Sequence, residues 1–393
     1  MGKVYLINGA RTPFTAFGGS FVDTDAVQLG VATAKEALKR SQVSPSNVDQ
    51  VIYGNVIQSG KNAAYLSRHI GLYSDVPKEI PALTLNRLCG SGLQSVVTGA
   101  QQVLLNEANI VLAGGSENMS QAPFSNFKQR FKGVKMGELA FEDMLQATLT
   151  DQYTGKGMGM TAEKLAELHG ISREEQDAYS VESHKRATQA VENRTFEEEI
   201  VPVEVKKRRD TVQISKDEHI KPDSTVEVMS KLKPVFKQDG TVTAANSSGI
   251  NDGAASVVIA GEKAIQEHQV SPMVEIKSWG VAGVDPTIMG IGPVPAINQA
   301  LQRANLTIDD MDLVEVNEAF AAQYLAVEKE LGLDRSKTNV NGGAIALGHP
   351  VGASGTRVLL TAAYELKRRE GRYAVVSLCI GGGQGIAVVI ENV

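Results

Sequence analysis

The chain predicts an α/β protein made of two similar halves, with a further segment inserted into the first. Three observations carry this reading. Short apolar runs of strand character alternate with stretches of helical period, the two ends superpose without gaps at one fixed shift, and a long charged segment interrupts only the first half.

In chain order, Val4-Tyr5-Leu6-Ile7 predicts a strand, and residues 26–40 predict a helix with apolar positions three and four apart. Residues 49–57 read as a buried strand, 80–88 as extended, 93–105 as a proline-free helix, and 108–113 as a strand ended by Gly114-Gly115-Ser116-Glu117. A shift of 263 positions then lays Ala37-Leu38 on Ala300-Leu301, Arg40 on Arg303, Asp49 on Asp312, Ser91-Gly92 on Ser354-Gly355 and Ala100 on Ala363. Residues 385–390 resemble 254–259 in the same way, yet only Gly381 to Gln384 precede the former, whereas residues 119–248 precede the latter. The expected domains are therefore 1–118 with 249–270 as the first half, 119–248 as an insertion, and 271–393 as the second half. Within the insertion, residues 161–169 and 173–192 predict amphipathic helices, the second opened by Ser172 and Glu175 at capping-box spacing. A lid over a site is one role for it; an oligomerisation arm near residues 121–135 is another.

Composition narrows the function. With 42% hydrophobic and 21% charged residues in 393, the chain can bury a large core, and a formal charge of -6 argues against nucleic-acid binding. No apolar run reaches membrane-spanning length, residues 1–14 resemble neither a signal peptide nor a transit helix, and two cysteines fit a reducing compartment, so a cytoplasmic protein is expected. The scattered cysteines and histidines form no metal motif.

Cys89 stands in Asn86-Arg87-Leu88-Cys89-Gly90-Ser91-Gly92, at a predicted helix start where free N–H groups and the helix dipole favour thiolate. A buried structural cysteine is the plain alternative. Its repeat counterpart is Gly352, so a thiol there belongs to one half only. The second half places Asn317, His349 and Cys379 at predicted strand ends or turns, positions that converge on one cleft in doubly wound sheets. A thiol with an imidazole suits acyl transfer, and the glycines after Cys379 bring backbone N–H groups close to a ligand. Taken singly, Asn317 reads equally as a turn former and His349 as a structural residue.

Together, Asn86 to Gly92, Asn317-Glu318-Ala319-Phe320, Gly342-Gly343-Ala344-Ile345-Ala346-Leu347-Gly348-His349-Pro350 and Cys379-Ile380-Gly381-Gly382-Gly383 resemble the motifs of the thiolase family, in order and over the whole chain. The resemblance implies the thiolase fold: two βαβαβαββ halves in five αβαβα layers with an inserted loop domain. It implies an acyltransferase in which Cys89, activated by His349, carries the acyl group. Cys379 removes a proton from a second acetyl-CoA, and oxyanion sites form at His349 with an Asn317-bound water and at the N–H groups of Cys89 and Gly381. Leu149, Met158, Lys221, Ser248 and Phe320 are implied as substrate-binding residues, with Lys221 where the family often has arginine, Gly157 where it often has histidine, and Val228 where serine is common. The cluster Lys206-Lys207-Arg208-Arg209 suits the phosphates of CoA or is a solvated face.

The reaction expected first is condensation of two acetyl-CoA to acetoacetyl-CoA and CoA. The alternative is a 3-ketoacyl-CoA thiolase of lipid breakdown, with a ketoacyl synthase or an inactive thiolase-like binding protein more remote. No metal or organic cofactor is expected beyond CoA as substrate and product, and the family resemblance implies a homodimer or homotetramer.

Overall fold

A computed structural model describes residues 2–207 and 210–393. The first half runs β1 (Val4–Arg11), α1 (Ala26–Arg40), β2 (Gln50–Gly54), α2 (Leu66–Tyr73), β3 (Ala82–Leu85), α3 (Ser91–Leu104) and β4 (Ile110–Asn118). The inserted region contains α4 (Met158–His169), α5 (Arg173–Glu192) and a hairpin, β5 (Val203–Lys207) with β6 (Asp210–Ile214). After β7 (Asn251–Gly261), the second half runs β8 (Val274–Gly283), α6 (Pro293–Ala304), β9 (Leu313–Val316), α7 (Ala321–Leu331), α8 (Ser354–Arg368), β10 (Tyr373–Ile380) and β11 (Gln384–Asn392).

Strand order is β9-β10-β11-β8-β1-β7-β4-β2-β3. Among the described residues, the half-sheets pair where Tyr5 and Leu6 of β1 meet Glu275 and Val274 of β8. Five layers follow from the packing. Leu93, Val96 and Val97 of α3 and Val358, Leu359 and Leu360 of α8 share a central core with the inner faces of both half-sheets. Val27, Ala34 and Leu38 of α1 cover the outer face of one, and Ile297, Ala300 and Leu301 of α6 cover the other.

The repeat holds in space. Shifting α3 and β4 by 263 positions lands on α8 and β10, and β2 lands on β9. One element is not duplicated: opposite β3 the second half keeps a single bridge, Val314 with Thr338, and then the short helical turn Ala344–Leu347.

Two sequence expectations need correction. The strand expected to end at Gly114 continues through Asn118. Its glycines serve close approach rather than a turn, since a Cβ on Gly114 would lie 2.5 Å from Ala255 O and one on Gly115 2.0 Å from Gly352 O. The strand expected over 49–57 is shorter, Gln50–Gly54. The capping box opening α5 forms as expected from Ser172 and Glu175.

Candidate functional site

Residues 87–91 form a tight turn that carries Cys89 to the start of α3. Leu88 adopts φ +47°, which a side chain other than glycine rarely takes, and the turn is closed around it. Asn86 Oδ1 accepts from Leu88 N at 2.8 Å, and Ser91 Oγ accepts from Arg87 N at 2.8 Å while donating to Leu88 O at 2.7 Å. Gly90 is required here: a Cβ would lie 2.5 Å from Ile380 Cδ1. At the next turn α3 and α8 touch backbone to backbone. A Cβ on Gly355 would lie 2.3 Å from Leu93 N, and Thr356 Oγ1 donates to Gly92 O at 2.9 Å. The crossing brings the N-terminal ends of the two central helices, one from each half, to a single place.

The thiol is not acidic in the resting protein, which corrects the expectation from its helix start. Burial of its sulfur pushes Cys89 up to about 11, against the N–H of Gly381 and its own N–H, and the Glu117 carboxylate adds to the rise. Cys379, buried at the end of β10, is raised further by burial and by its proximity to Cys89. The Gly381 N–H aimed at the Cys89 sulfur places the turn between β10 and β11 over the thiol, with Gly382 and Gly383 at φ +78° and +81°.

His349 lies at the turn leading into α8, the central helix of the second half. Its Nδ1 meets Ser354 Oγ at 2.6 Å, and that hydroxyl donates its own proton to Pro350 O at 2.9 Å. The imidazole proton therefore sits on Nδ1, and Nε2 keeps its lone pair, facing Asn317 Nδ2 at 3.5 Å. Burial, with the charge of Arg357, holds His349 down to about 3, so it rests as a neutral base. Asn317 Oδ1 is buried with no partner among the described residues, as an acceptor prepared for a water O–H would be.

Four residues that support this site escaped the sequence reading. Ser354 fixes the imidazole, and Asn251 Oδ1 accepts from His349 N at 3.0 Å. Glu117 accepts from Val56 N, Ile57 N, Asn55 Nδ2 and Gly352 N at 2.9 to 3.1 Å, tying the two halves together beside Cys89. Glu318 accepts from Tyr179 Oη at 2.6 Å and Ser183 Oγ at 2.7 Å, fastening α5 to the Asn317 loop. Two of them had a sequence signal: Ser354 is the repeat twin of Ser91, and Glu318 stands within the Asn317-to-Phe320 motif, where no role was assigned to it.

Of the expected substrate-binding residues, Leu149 packs in one cluster with Cys89, and Met158 N donates to Leu149 O at 2.9 Å across a small hairpin. Met158 also lines an open cleft with Val56, Leu88, Thr148, Gly381 and Gly382. Ser248 N donates to Ala319 O at 2.9 Å, and Phe320 stands edge-on to Phe236 at 6.0 Å. Lys221 lies apart, in a second cleft with His184, His219, Ser247 and Leu232. Lys206 and Lys207 sit at the exposed tip of the β5–β6 hairpin, while Arg208 and Arg209 lie outside the described residues.

A five-layer duplicated α/β fold with two thiols, an oriented imidazole and converging amide donors defines an acyl-transferring enzyme. The chain belongs to the thiolase family: the thiolase N-terminal domain matches residues 4–263 and the thiolase C-terminal domain residues 270–392. It is 54% identical over 390 residues to the mitochondrial 3-ketoacyl-CoA thiolase of Homo sapiens, covering 99% of this chain and 98% of that one. It is 45% identical over 395 residues to an acetyl-CoA acetyltransferase of Syntrophomonas wolfei, covering 99% of each. The crystal structure of the human mitochondrial enzyme in complex with CoA superposes with TM-score 0.96 at 53% identity, over 100% of this chain and 98% of that one. The expected cytoplasmic location is corrected by these comparisons, since the human, orangutan and bovine relatives at 53 to 54% identity are mitochondrial. A low cysteine count marks a reducing compartment without saying which.

Proposed function

We propose that the chain is a 3-ketoacyl-CoA thiolase, cleaving 3-ketoacyl-CoA with CoA and running the reverse condensation, rather than an enzyme confined to acetoacetyl-CoA. The observation that carries this is the cleft lined by Leu88, next to Cys89 in the chain, with Met158 and Gly381, which runs toward Thr148, Thr150 and Gln152, a place we assign to the acyl chain. The small Gly157, adjacent in the chain to the cleft-lining Met158 and standing where the acetoacetyl-CoA enzymes often carry histidine, supports the same reading. The likeness to an acetyl-CoA acetyltransferase supports a second reading, in which the four-carbon substrate is preferred.

In thiolysis the Cys89 proton passes to His349 Nε2, and the sulfur attacks the 3-keto carbon. Thiol and neutral imidazole are the resting pair, so charge separates only as it develops on the substrate oxygen. That oxygen meets the N–H groups of Cys89 and Gly381, while the thioester oxygen of the departing acetyl-CoA enolate meets His349 Nε2–H, now protonated, and the Asn317-bound water. The C2–C3 bond breaks, the acetyl-CoA enolate takes the Cys379 proton, and an acyl group remains on Cys89. Incoming CoA gives its thiol proton to Cys379, attacks the acyl thioester, and releases acyl-CoA, with the His349 proton returning to Cys89. The N–H groups of Cys89 and Gly381 hold the thioester oxygen through this second half. The reading uses no resident metal or organic cofactor, with CoA binding through Ser248 and the second cleft that Lys221 lines.

We also propose self-assembly through the exposed arm that presents Phe127, Phe131 and Met136; a monomeric mass in solution would sink it. The substrate assignment is tested by thiolysis rates over 3-ketoacyl-CoA of four to sixteen carbons. It is overturned if activity vanishes beyond the four-carbon substrate.

A further inference from the structure

The reaction gives no role to His184, a buried side chain of α5 that borders the second cleft. Its Nδ1 accepts from Lys221 N at 3.2 Å. A ring nitrogen accepts only while it carries no proton. Burial, with the charges of His219 and Lys221, holds His184 down to about 4, so the ring rests neutral and Nδ1 is free to accept. The bond goes to the backbone of Lys221, and it therefore fixes the course of the chain where that residue enters the cleft.

That stretch depends on such bonds. Residues 215–225 form no helix or strand, so individual anchors set their path in place of a hydrogen-bond ladder. Asp217 is held by Arg11 at 2.7 Å, and Glu218 N donates to Phe14 O at 3.0 Å. His219 packs on Gly249, the neighbour of Ser248, where a Cβ would lie 2.4 Å from His219 Cε1. Lys221 then meets His184, and the chain turns, with Ser224 N donating to Lys221 O at 3.2 Å.

The other side of α5 is anchored one residue earlier. Ser183 Oγ donates to Glu318 at 2.7 Å and accepts from Gly343 N at 3.1 Å, next to Asn317 and at the start of the turn that leads to His349. Successive side chains on a helix diverge by about 100°. Ser183 and His184 therefore hold two different partners from one turn of α5, the loop of the reaction centre and the rim of the second cleft.

We propose that His184 is a positioning residue for CoA, a role that rests on the reading of the second cleft as the CoA site: its Nδ1 presets the Lys221 backbone, so that CoA binds without first ordering that rim. A preformed rim removes an ordering cost that binding would otherwise carry. His184 itself exchanges no proton with Cys89, His349 or Cys379.

The test is CoA binding by isothermal titration calorimetry, beside thiolysis of acetoacetyl-CoA at varied CoA. His184→Leu fills the space without an acceptor, and His184→Gln carries its amide to the place of Nε2 rather than Nδ1. Each is expected to weaken CoA binding and raise the KM for CoA by about threefold to tenfold, the effect of one hydrogen bond, with kcat at saturating CoA within about twofold of the wild type. His184→Asn, whose amide oxygen falls near the place of Nδ1, is expected to bind CoA within about twofold of the wild type. If the leucine variant does not fold, the contrast between glutamine and asparagine decides. CoA binding at the wild-type level in the leucine and glutamine variants, or an asparagine variant as weak as the glutamine one, overturns the proposal while leaving the thiolase reading in place. A wild-type protein that cleaves no 3-ketoacyl-CoA overturns the thiolase reading itself, and the two failures are distinct.

Discussion

Replacing Ser354 with alanine tests the central inference about the base. In the native site the imidazole proton is held on Nδ1 by a 2.6 Å bond to Ser354 Oγ, and His349 is only 5% exposed, so water cannot easily substitute. Without the hydroxyl, the imidazole has two options. It can leave Nδ1–H buried and unpaired, at about 1 to 3 kcal/mol, or it can move the proton to Nε2 and surrender the lone pair that Cys89 needs. Either way the reactive tautomer is disfavoured, and since each 1.4 kcal/mol or so is tenfold, Cys89 acylation should slow by roughly fivefold to a hundredfold. Quenched-flow acetylation read by intact mass gives that rate directly, without the carbon–carbon step. Ser354→Thr retains an acceptor and should stay within severalfold of the wild type. An alanine variant that remains folded and acylates at the wild-type rate refutes the tautomer assignment.

Three other outcomes follow from the same geometry. Cys379→Ala should still take up acetyl from acetyl-CoA while losing condensation and thiolysis, and Cys89→Ala should take up none; labelling of the latter would place the nucleophile elsewhere. Glu117→Gln turns an amide NH2 toward N–H donors, because either oxygen already accepts from two of them. It should destabilise the fold by about 1 to 3 kcal/mol in urea unfolding, and an unchanged midpoint would show that the clamp is dispensable. Acid should destabilise the protein in a stated window. His349 and His184 are held down to about 3 and about 4, so their contribution is complete above the unfolded value near 6.5 and is lost as pH falls toward the folded values. The loss is about 1.4 kcal/mol per pH unit for each, and His184→Asn should flatten the slope measured between pH 6.5 and pH 5.

The scaffold was legible because it is periodic. The gapless register between residues 37–100 and 300–363 reports a duplicated backbone, and α1, α3, α5, α6 and α8 all lie where helical period or the repeat puts them. Polar anchoring was not legible. Glu117 and Glu318 each bond across more than 130 residues of sequence, to Gly352 and to Ser183, and no local pattern marks such a partner. Glycine also misled. Gly114-Gly115 has the composition of a turn, yet its role is steric, set by strands and loops that come near only after folding. The acidity of Cys89 failed for a similar reason: a helix start is visible in sequence, whereas the burial that outweighs it is tertiary.

The repeat also explains how a symmetric scaffold yields an asymmetric site. Both halves present a turn leading into a central helix, and both place a serine in its first turn whose hydroxyl donates back to a carbonyl of that turn, Ser91 to Leu88 O and Ser354 to Pro350 O. What the serine oxygen accepts differs. In the first half it takes the Arg87 backbone N–H, which closes the turn and presents Cys89. In the second it takes the side chain of His349, which occupies the position equivalent to Asn86, while Gly352 stands where the cysteine would be. A Cβ on Gly352 would lie 2.5 Å from Glu117 Oε2, so the second turn cannot carry a thiol without breaking the clamp beside Cys89. The nucleophile is thus excluded from one half by the same carboxylate that stabilises its surroundings in the other, and the base fills the vacated role three residues earlier. Divergence of a duplicated turn, joined at the Gly92 and Gly355 crossing, is sufficient to set a sulfur and an imidazole at the touching starts of the two central helices.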